Sequence, residues 1–198
     1  MSFYRLRPSA WNLIRAAYKG TLCRIYTFVN YLDAFLSAVQ LGSRCRFHGR
    51  TSFYKAHAAS MKIGDRCVFR SAPRSNLIGI NRPCILSAHG AATLTIGTGC
   101  GLSGTVIGCF QKVTLGENVR CGANTTISDG EWHLDDTRAA KPSPITIGND
   151  VWLGVGVTVL KGVEIGANTV VGAGSVVTQS LPGNVIAAGN PCRVVRCL

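Results

Sequence analysis

The chain has 198 residues, a length at which one domain with a substantial core is expected. Glycine is abundant at 23 residues, while aromatic residues make up 8% and charged residues 15%, a balance that favours a turn-rich β structure. The net charge of +12 suits an anionic surface or a phosphorylated ligand. Nucleic acid is disfavoured as a partner because no helix-turn-helix, zinc-finger or base-stacking motif accompanies the charge.

The first predicted unit covers residues 1–40. Large apolar residues recur every three or four positions from Trp11 to Val39, which is helical periodicity. Gly20 could divide this stretch into two helices, and polar side chains interrupt it too often for a membrane span. Two interpretations stay open: a helical cap on the β structure or on a neighbouring subunit, and a peripheral contact with an anionic membrane surface.

Nine cysteines raise the question of disulfides or zinc, and their spacing argues against both. No C-x-x-C pair occurs, the count is odd, and no apolar secretory segment is visible. Cys45, Cys67 and Cys100 each follow an aliphatic residue by four positions, a slot that small residues fill elsewhere in the chain. The sequence therefore predicts reduced, buried thiols in a cytoplasmic protein without a metal site.

A six-residue repeat runs without interruption from Ile147 to Pro182. An aliphatic residue returns at every sixth position, and a small or aliphatic residue follows each of them four places later. The anchors are Ile147, Leu153, Val159, Ile165, Val171 and Val177. Neither an α-helix nor a plain alternating strand has this period. It indicates a coil of parallel strands in which neighbouring turns bury each other's anchors.

Fainter copies of the repeat begin at Leu41, Ile63, Ile96 and Leu115, and the register slips across residues 72–90, where we expect a bulge or a loop. Gly, Asn and Asp after the anchors supply the left-handed backbone conformations that tight corners require. The predicted β-helix occupies residues 41–182 in about six or seven coils.

One segment of that range breaks the repeat. The distance from Ile127 to Ile147 is 20 residues, which is not a multiple of six, so a loop is predicted over about residues 128–146. The loop contains His133 and four of the nine acidic residues, namely Asp129, Glu131, Asp135 and Asp136. Acids around a single histidine are a candidate for chemistry, although a solvated surface loop has the same composition.

Several sequence runs resemble the hexapeptide-repeat acyltransferases, and among them the sugar O-acetyltransferases such as galactoside and maltose acetyltransferases. They are SDGEWH, PITIGNDVWLG, VVGAGSVVT and NVIAAGNPCRVVR. The resemblance is close over residues 115–196 and rests on repeat style alone over residues 41–114. It implies a left-handed parallel β-helix, here with an N-terminal α-helical segment, a homotrimer, and acetyl-CoA bound between neighbouring subunits.

By this resemblance His133 is the general base, with Asp129 four residues before it in a D-x-x-x-H pattern. Imidazole can accept a proton from an acceptor hydroxyl and later return it to a thiolate. The hydroxyl would attack the thioester of acetyl-CoA directly, without an acyl-enzyme. Asp129 would orient His133 or contact the sugar, and the donors to the oxyanion are backbone N–H groups or a water that the sequence does not identify.

The resemblance also assigns an acetyl-CoA site: Trp152, Gly154, Val155, Ala173, Thr178, Arg193 and Arg196. Ala173 would act through its backbone, and the arginines of the C-terminal tail, residues 183–198, would bind the CoA phosphates. Gln179 stands where Lys is common, and Val155 where Ser or Ala is, so phosphate binding would depend more on the tail. The alternatives are ordinary coil packing for Ala173 and Thr178, a core or interface role for Trp152, and a solvated tail.

The expected function is acetyl-CoA-dependent O-acetylation of a sugar hydroxyl in a surface polysaccharide or its precursor. The protein would be cytoplasmic and could lie at the inner face of the membrane. Three alternatives remain: acetylation of an antibiotic, N-acetylation of an amino sugar, and a non-catalytic scaffold. A zinc-dependent γ-type carbonic anhydrase is disfavoured because the four histidines include no H-x-x-x-x-H pair.

Overall fold

The computed structural model describes residues 10–133 and 136–198. Residues 1–9 of the predicted N-terminal unit, and Asp135 of the predicted loop, therefore lie outside the described residues.

Helix α1 (Ala10–Leu36) is continuous and precedes the β structure. The predicted division at Gly20 is wrong, because apolar residues keep the helical period on both sides and an isolated glycine costs a helix only about 1 kcal/mol. Asn30 attaches the second half of α1 to the β structure. Its fully buried amide donates to the carbonyl of Gly49 at 3.1 Å and accepts the N–H of Thr51 at 2.8 Å. Within the described ranges, no helix is both long and apolar enough to cross a bilayer.

Twenty short strands follow α1 in the part of the chain that the structure describes. In chain order they are β1 Gln40–Leu41, β2 Arg46–His48, β3 Ser52–Lys55, β4 Ser60–Ile63, β5 Val68–Arg70, β6 Ile85–Ala88, β7 Thr93–Ile96, β8 Gly101–Ser103, β9 Val106–Cys109, β10 Lys112–Leu115, β11 Arg120–Cys121, β12 Thr126–Ser128, β13 Ile145–Ile147, β14 Trp152–Leu153, β15 Thr158–Val159, β16 Glu164–Ile165, β17 Val170–Val171, β18 Val176–Val177, β19 Val185–Gly189 and β20 Cys192–Cys197.

From β1 to β18 every third strand pairs in parallel, so the chain winds through three sheets in turn. Sheet 1 is β1-β4-β7-β10-β13-β16, sheet 2 is β2-β5-β8-β11-β14-β17-β19-β20, and sheet 3 is β3-β6-β9-β12-β15-β18. Each coil therefore contributes one strand to each face of a prism, and six coils are stacked. The predicted fold class, a left-handed parallel β-helix with an N-terminal helical segment, is confirmed.

The interior of the prism is a column of the repeat anchors. Ile147, Leu153, Val159, Ile165 and Val177 are all buried, as the six-residue period requires. Helix α1 packs on the first coil, and the antiparallel hairpin of β19 and β20 extends sheet 2 at the far end. Helix α1 thereby covers strand edges of the first coil, and the hairpin covers the β17 edge of sheet 2.

All nine cysteines are free, and seven of them are buried as predicted. Cys23, on α1, is half-buried and Cys197 is exposed, so the prediction of buried thiols is wrong for these two. Cys45, Cys67 and Cys100 are buried, and each thiol donates to the carbonyl of a glycine in the next coil. The Sγ–O distances are 3.3 Å to Gly64, 3.3 Å to Gly97 and 3.1 Å to Gly116. Burial raises the pKa of Cys121 to about 12. These thiols act as small apolar packing groups rather than as nucleophiles.

The predicted slip of register is confirmed between β5 and β6. The segment from residue 71 to 84 leaves the coil and contains one 3-10 turn, Pro73–Ser75. Arg82 ties it to the β-helix, because its guanidinium donates to the carbonyl of Asn124 at 2.7 Å and to the hydroxyl of Thr126 at 2.9 Å. The early coils therefore keep their stacking despite the excursion.

Candidate active site

The break in the repeat lies between β12 and β13, at the edge of the prism where sheet 3 passes into sheet 1. We call this edge the 3/1 corner. Asp129 opens the loop and is fully buried. Its carboxylate accepts three backbone N–H groups of the preceding coil, those of Phe110 at 2.6 Å, Gln111 at 2.9 Å and Lys112 at 2.6 Å. These charge-assisted bonds compensate the burial of the carboxylate. Across residues 10–133 and 136–198, no hydrogen bond joins Asp129 to His133.

Further contacts hold the remainder of the loop. The N–H of Ser143 donates to the carbonyl of Asp129 at 2.8 Å, which closes the base of the loop. The ammonium of Lys161, on the next coil, pairs with the carboxylate of Glu131 and donates to the carbonyl of Ala140 at 3.2 Å. The hydrogen bond from Lys161 to Glu131 holds the pKa of the Glu131 carboxyl below its ordinary value. The loop is thus fastened to the coil before it and to the coil after it.

His133 is exposed on this fastened loop. Its carbonyl accepts the N–H of Asp136 at 3.0 Å, while its side chain is open to solvent. An exposed imidazole on a restrained backbone can meet a ligand hydroxyl, which is the arrangement that general base catalysis needs.

Aromatic rings line the same corner beside His133. His89 and Phe110 stack with ring centroids 4.6 Å apart, and Tyr54 lies 5.0 Å from His89. Trp132 stands at right angles to both stacked rings, 5.3 Å from His89 and 5.2 Å from Phe110. In the described ranges, the buried Nε2 atom of His89 has no hydrogen-bond partner.

Sequence reasoning missed this ring cluster. Its members occupy the 3/1 corner on successive coils, but the segment at residues 71–84 changes the spacing between Tyr54 and His89. Trp132 is brought back to the corner by the loop. A correct alignment of the early coils would have placed His89 and Phe110 in one column, because each directly follows its sheet 3 strand.

Cys109 is the thiol nearest the loop, with its Sγ 3.8 Å from Oδ2 of Asp129. Burial, together with the charge of Asp129, raises the pKa of Cys109 to about 12. This thiol stays protonated at neutral pH and is not an activated nucleophile. No group of His, Cys, Asp or Glu side chains in the described part of the chain could hold a metal ion.

Three residues of the predicted acetyl-CoA site come together at another edge, the 2/3 corner, where sheet 2 passes into sheet 3. The N–H of Gly174 donates to the carbonyl of Val155 at 2.8 Å, so the turn of Ala173 stacks directly on the turn of Gly154 and Val155. A Cβ on Gly154 would lie 2.6 Å from the backbone nitrogen of Ala173. The two turns are therefore close enough to require glycine at 154.

The other residues of that predicted site are distributed along the prism. Thr178 directly follows β18 at the 3/1 corner, on the side of the loop. Trp152 lies on sheet 2 and is 55% exposed, so a core role for it is wrong. Arg193 and Arg196 are exposed on β20, where their guanidiniums donate to the carbonyls of Cys192 and Cys197. Within one chain, His133 and Ala173 thus lie at different corners, with sheet 3 between them.

Comparison with known proteins places this architecture in a class. Residues 144–179 match the family described as bacterial transferase hexapeptide (six repeats). A galactoside O-acetyltransferase of Escherichia coli (strain K12) is 48% identical over 88 residues, which are 42% of this chain and 43% of that protein. The chain thus matches less than half the length of this curated relative. The predicted resemblance to the hexapeptide-repeat acyltransferases, on the side of the galactoside O-acetyltransferases, is confirmed.

Two solved structures show the same fold. A hexapeptide-repeat acetyltransferase of Vibrio cholerae, complexed with acetyl coenzyme A, has a TM-score of 0.53 at 22% identity and covers 96% of this chain and 90% of its own. A variant of AntD, an N-acyltransferase of Bacillus cereus complexed with dTDP and coenzyme A, has a TM-score of 0.62 at 17% identity, with coverage of 80% and 82%. At such identities the likeness concerns the fold alone.

Proposed function

We propose that this protein is an acetyl-CoA-dependent O-acetyltransferase that acts on a sugar hydroxyl. The observation that carries the proposal is the exposed imidazole of His133 on a loop fastened to two coils, directly before the repeat block that matches the transferase family. The 48% identity with a galactoside O-acetyltransferase supports a sugar as the acceptor.

The proposed reaction is a direct transfer. The imidazole of His133 takes the proton of the acceptor hydroxyl while its oxygen attacks the carbonyl carbon of acetyl-CoA. The tetrahedral intermediate then collapses, the C–S bond breaks, and the CoA thiolate receives the proton from the imidazolium. The protonated state of Cys109 is consistent with a route that has no acyl-enzyme. In this proposal Asp129 is a positioning residue that fixes the loop through three backbone amides.

The separation of the two corners supports a site between subunits of a homotrimer. His133 lies at the 3/1 corner, whereas Val155 and Ala173 stack at the 2/3 corner. A neighbouring copy that presents its 2/3 corner to the loop would bring the thioester to the imidazole. Trp152 and Gly154 would extend this surface on the neighbouring copy, whereas Thr178, at the 3/1 corner, would contact acetyl-CoA from the side of His133. The exposed guanidiniums of Arg193 and Arg196 would bind its phosphates.

Helix α1 supports a role at a membrane, where a polysaccharide or its lipid-linked precursor is accessible. The face opposite Asn30 is apolar along the whole helix and exposed; its large side chains are Trp11, Ile14, Tyr18, Ile25, Phe28, Leu32 and Phe35. Arg15 and Arg24 flank this face, and Lys19 lies on the side of Asn30; all three are exposed. Apolar groups beside cations are the pattern of a helix that lies in the interface of an anionic membrane. We propose that the cytoplasmic protein contacts the inner membrane face in this way.

The membrane proposal predicts the behaviour of a triple variant. Trp11→Ser, Ile14→Ser and Tyr18→Ser together should abolish co-sedimentation with vesicles that contain phosphatidylglycerol, because they remove the apolar face. The three side chains are exposed, so the fold should be unaffected. Leu77→Ser with Ile78→Ser is the matched control, since these exposed residues lie in the loop between β5 and β6. Equal sedimentation of both variants would refute the proposal, and a loss of oligomer in the triple variant would assign the face to a subunit contact.

The proposed activity is tested by thiol release from acetyl-CoA against simple galactosides and glucosides, amino sugars and an antibiotic alcohol. We expect turnover with a pyranoside that has no amino group. Turnover with amino sugars alone would support N-acetylation, and turnover with the antibiotic alone would support the xenobiotic alternative. If calorimetry shows no saturable binding of acetyl-CoA to this protein, the result would support the non-catalytic scaffold.

A further inference from the structure

Trp132 is held rigidly although it is 56% exposed. Its ring is perpendicular to both His89 and Phe110, with centroid distances of 5.3 and 5.2 Å. Because those two rings stack on each other, Trp132 lies along the edges of the pair and contacts both equally. Edge-to-face contacts of this kind are favourable and orient the indole. The indole is thereby held by two ring contacts, and its exposed part is open to a ligand.

Glycines make room for this arrangement. A Cβ on Gly108, in β9, would lie 2.8 Å from Cζ2 and 3.4 Å from Cε2 of Trp132. A Cβ on Gly130 would lie 2.8 Å from the ring of Phe110. Any larger residue at either position would push a ring away from the corner. The rings are therefore built into the corner through backbone positions on two separate coils.

The proposed base directly follows Trp132 in the chain. His133 is exposed like Trp132, so both side chains are open to one bound ligand. On the other side, the Lys161–Glu131 ion pair fixes the preceding residue of the loop. An exposed, oriented aromatic face beside a polar catalytic group is typical of a ligand site rather than of core packing.

Pyranosides fit such a surface by their chemistry. One face of a hexopyranoside in the galacto configuration presents adjacent C–H bonds and no hydroxyl, so it can stack on an indole while the ring hydroxyls point to the rim. We propose that Trp132 is a specificity-determining residue that stacks on this C–H face and thereby directs a ring hydroxyl to His133. The inference rests on the proposed O-acetyltransferase function and adds to it the part of the acceptor that is recognised.

Steady-state kinetics with methyl β-galactopyranoside test the inference. Trp132→Ala should raise the KM for the acceptor by roughly 10-fold, leave the KM for acetyl-CoA within about 2-fold, and affect kcat less than the acceptor KM. Trp132→Phe should restore most of the acceptor affinity, since it keeps an aromatic face. An unchanged acceptor KM in Trp132→Ala would overturn the inference and leave the proposed function intact. A rise in the KM for acetyl-CoA instead would place Trp132 in the donor site and would also overturn it.

A glycine pair provides a second variant that retains the tryptophan. Gly108→Ala should reproduce the acceptor KM defect because it displaces the indole. Gly101→Ala, on the neighbouring strand β8, should have wild-type kinetics because a Cβ there meets no atom within 4 Å. Circular dichroism verifies that both variants are folded. Acceptor KM values equal to the wild-type value in both Gly108→Ala and Gly101→Ala would contradict the proposed stacking on Trp132.

A binding measurement separates this inference from the proposed function. In saturation-transfer NMR, the C–H protons of methyl β-galactopyranoside should receive saturation from the wild type and lose it in Trp132→Ala. If no thiol release occurs with any acceptor, the proposed function fails, and this experiment still decides whether Trp132 binds a pyranoside. Saturation transfer to thymidine but not to the galactoside would overturn the inference, because Trp132 would then bind a nucleobase.

Discussion

His133→Ala is expected to lower kcat for thiol release by at least about 100-fold, the usual contribution of a positioned acid–base group. The side chain is exposed and forms none of the hydrogen bonds that fasten the loop, so its removal should leave the fold unchanged. Acetyl-CoA binding, measured by calorimetry, should also stay near the wild-type value, because the proposed donor residues lie elsewhere.

The matched control for this variant is His57→Ala. His57 is also an exposed histidine, and it lies between β3 and β4, three coils before the loop. Its replacement should leave kcat and KM unchanged. Turnover of His133→Ala at the wild-type rate would remove His133 from the mechanism, and an equal loss in both variants would indicate a non-specific effect.

Asp129→Ala is expected to lower the free energy of unfolding by about 3 kcal/mol or more, because it leaves three backbone N–H groups without their acceptor. The donors belong to Phe110, Gln111 and Lys112, and all three bonds are partly buried. Asp129→Asn should also destabilise the protein, since one carboxylate oxygen is replaced by an amide group that cannot accept. Urea denaturation measures both effects.

Asp136→Ala serves as the control for a carboxylate on the same loop. Asp136 pairs with Arg138 at the surface, and surface ion pairs contribute little. Its unfolding midpoint should therefore be close to that of the wild type. Wild-type stability of Asp129→Ala combined with a large loss of kcat would contradict the positioning role and favour Asp129 as a direct partner of His133.

The regular part of the fold could be predicted from sequence because each coil places the same residue types at the same positions. The anchors from Ile147 to Val177 are buried as their period requires. The continuity of α1 through Gly20 was not predictable from the glycine alone, since one glycine costs a helix little and the helical period continues on both sides of it. The segment between β5 and β6 was predicted only as a slip of register.

The candidate site was predictable in position but not in its contacts. The break in the repeat located the loop, and the resemblance selected His133. The three backbone N–H groups that bind Asp129, and the ring of Phe110 that contacts Trp132, belong to the preceding coil, about 20 residues earlier. A sequence pattern carries little information about such contacts between coils. Asp129 therefore looked like a partner of His133 in the sequence, whereas the structure places its carboxylate on the preceding coil.

The most direct test of the proposed function is the identity of the product formed from acetyl-CoA and methyl β-galactopyranoside. Mass spectrometry and NMR should show an acetyl ester on a ring oxygen, formed in equal amount to the released CoA thiol and cleaved by mild base. The same incubation with His133→Ala should yield little of it. Saturable acetyl-CoA binding without any esterified pyranoside, across the acceptor panel, would contradict sugar O-acetylation by this protein.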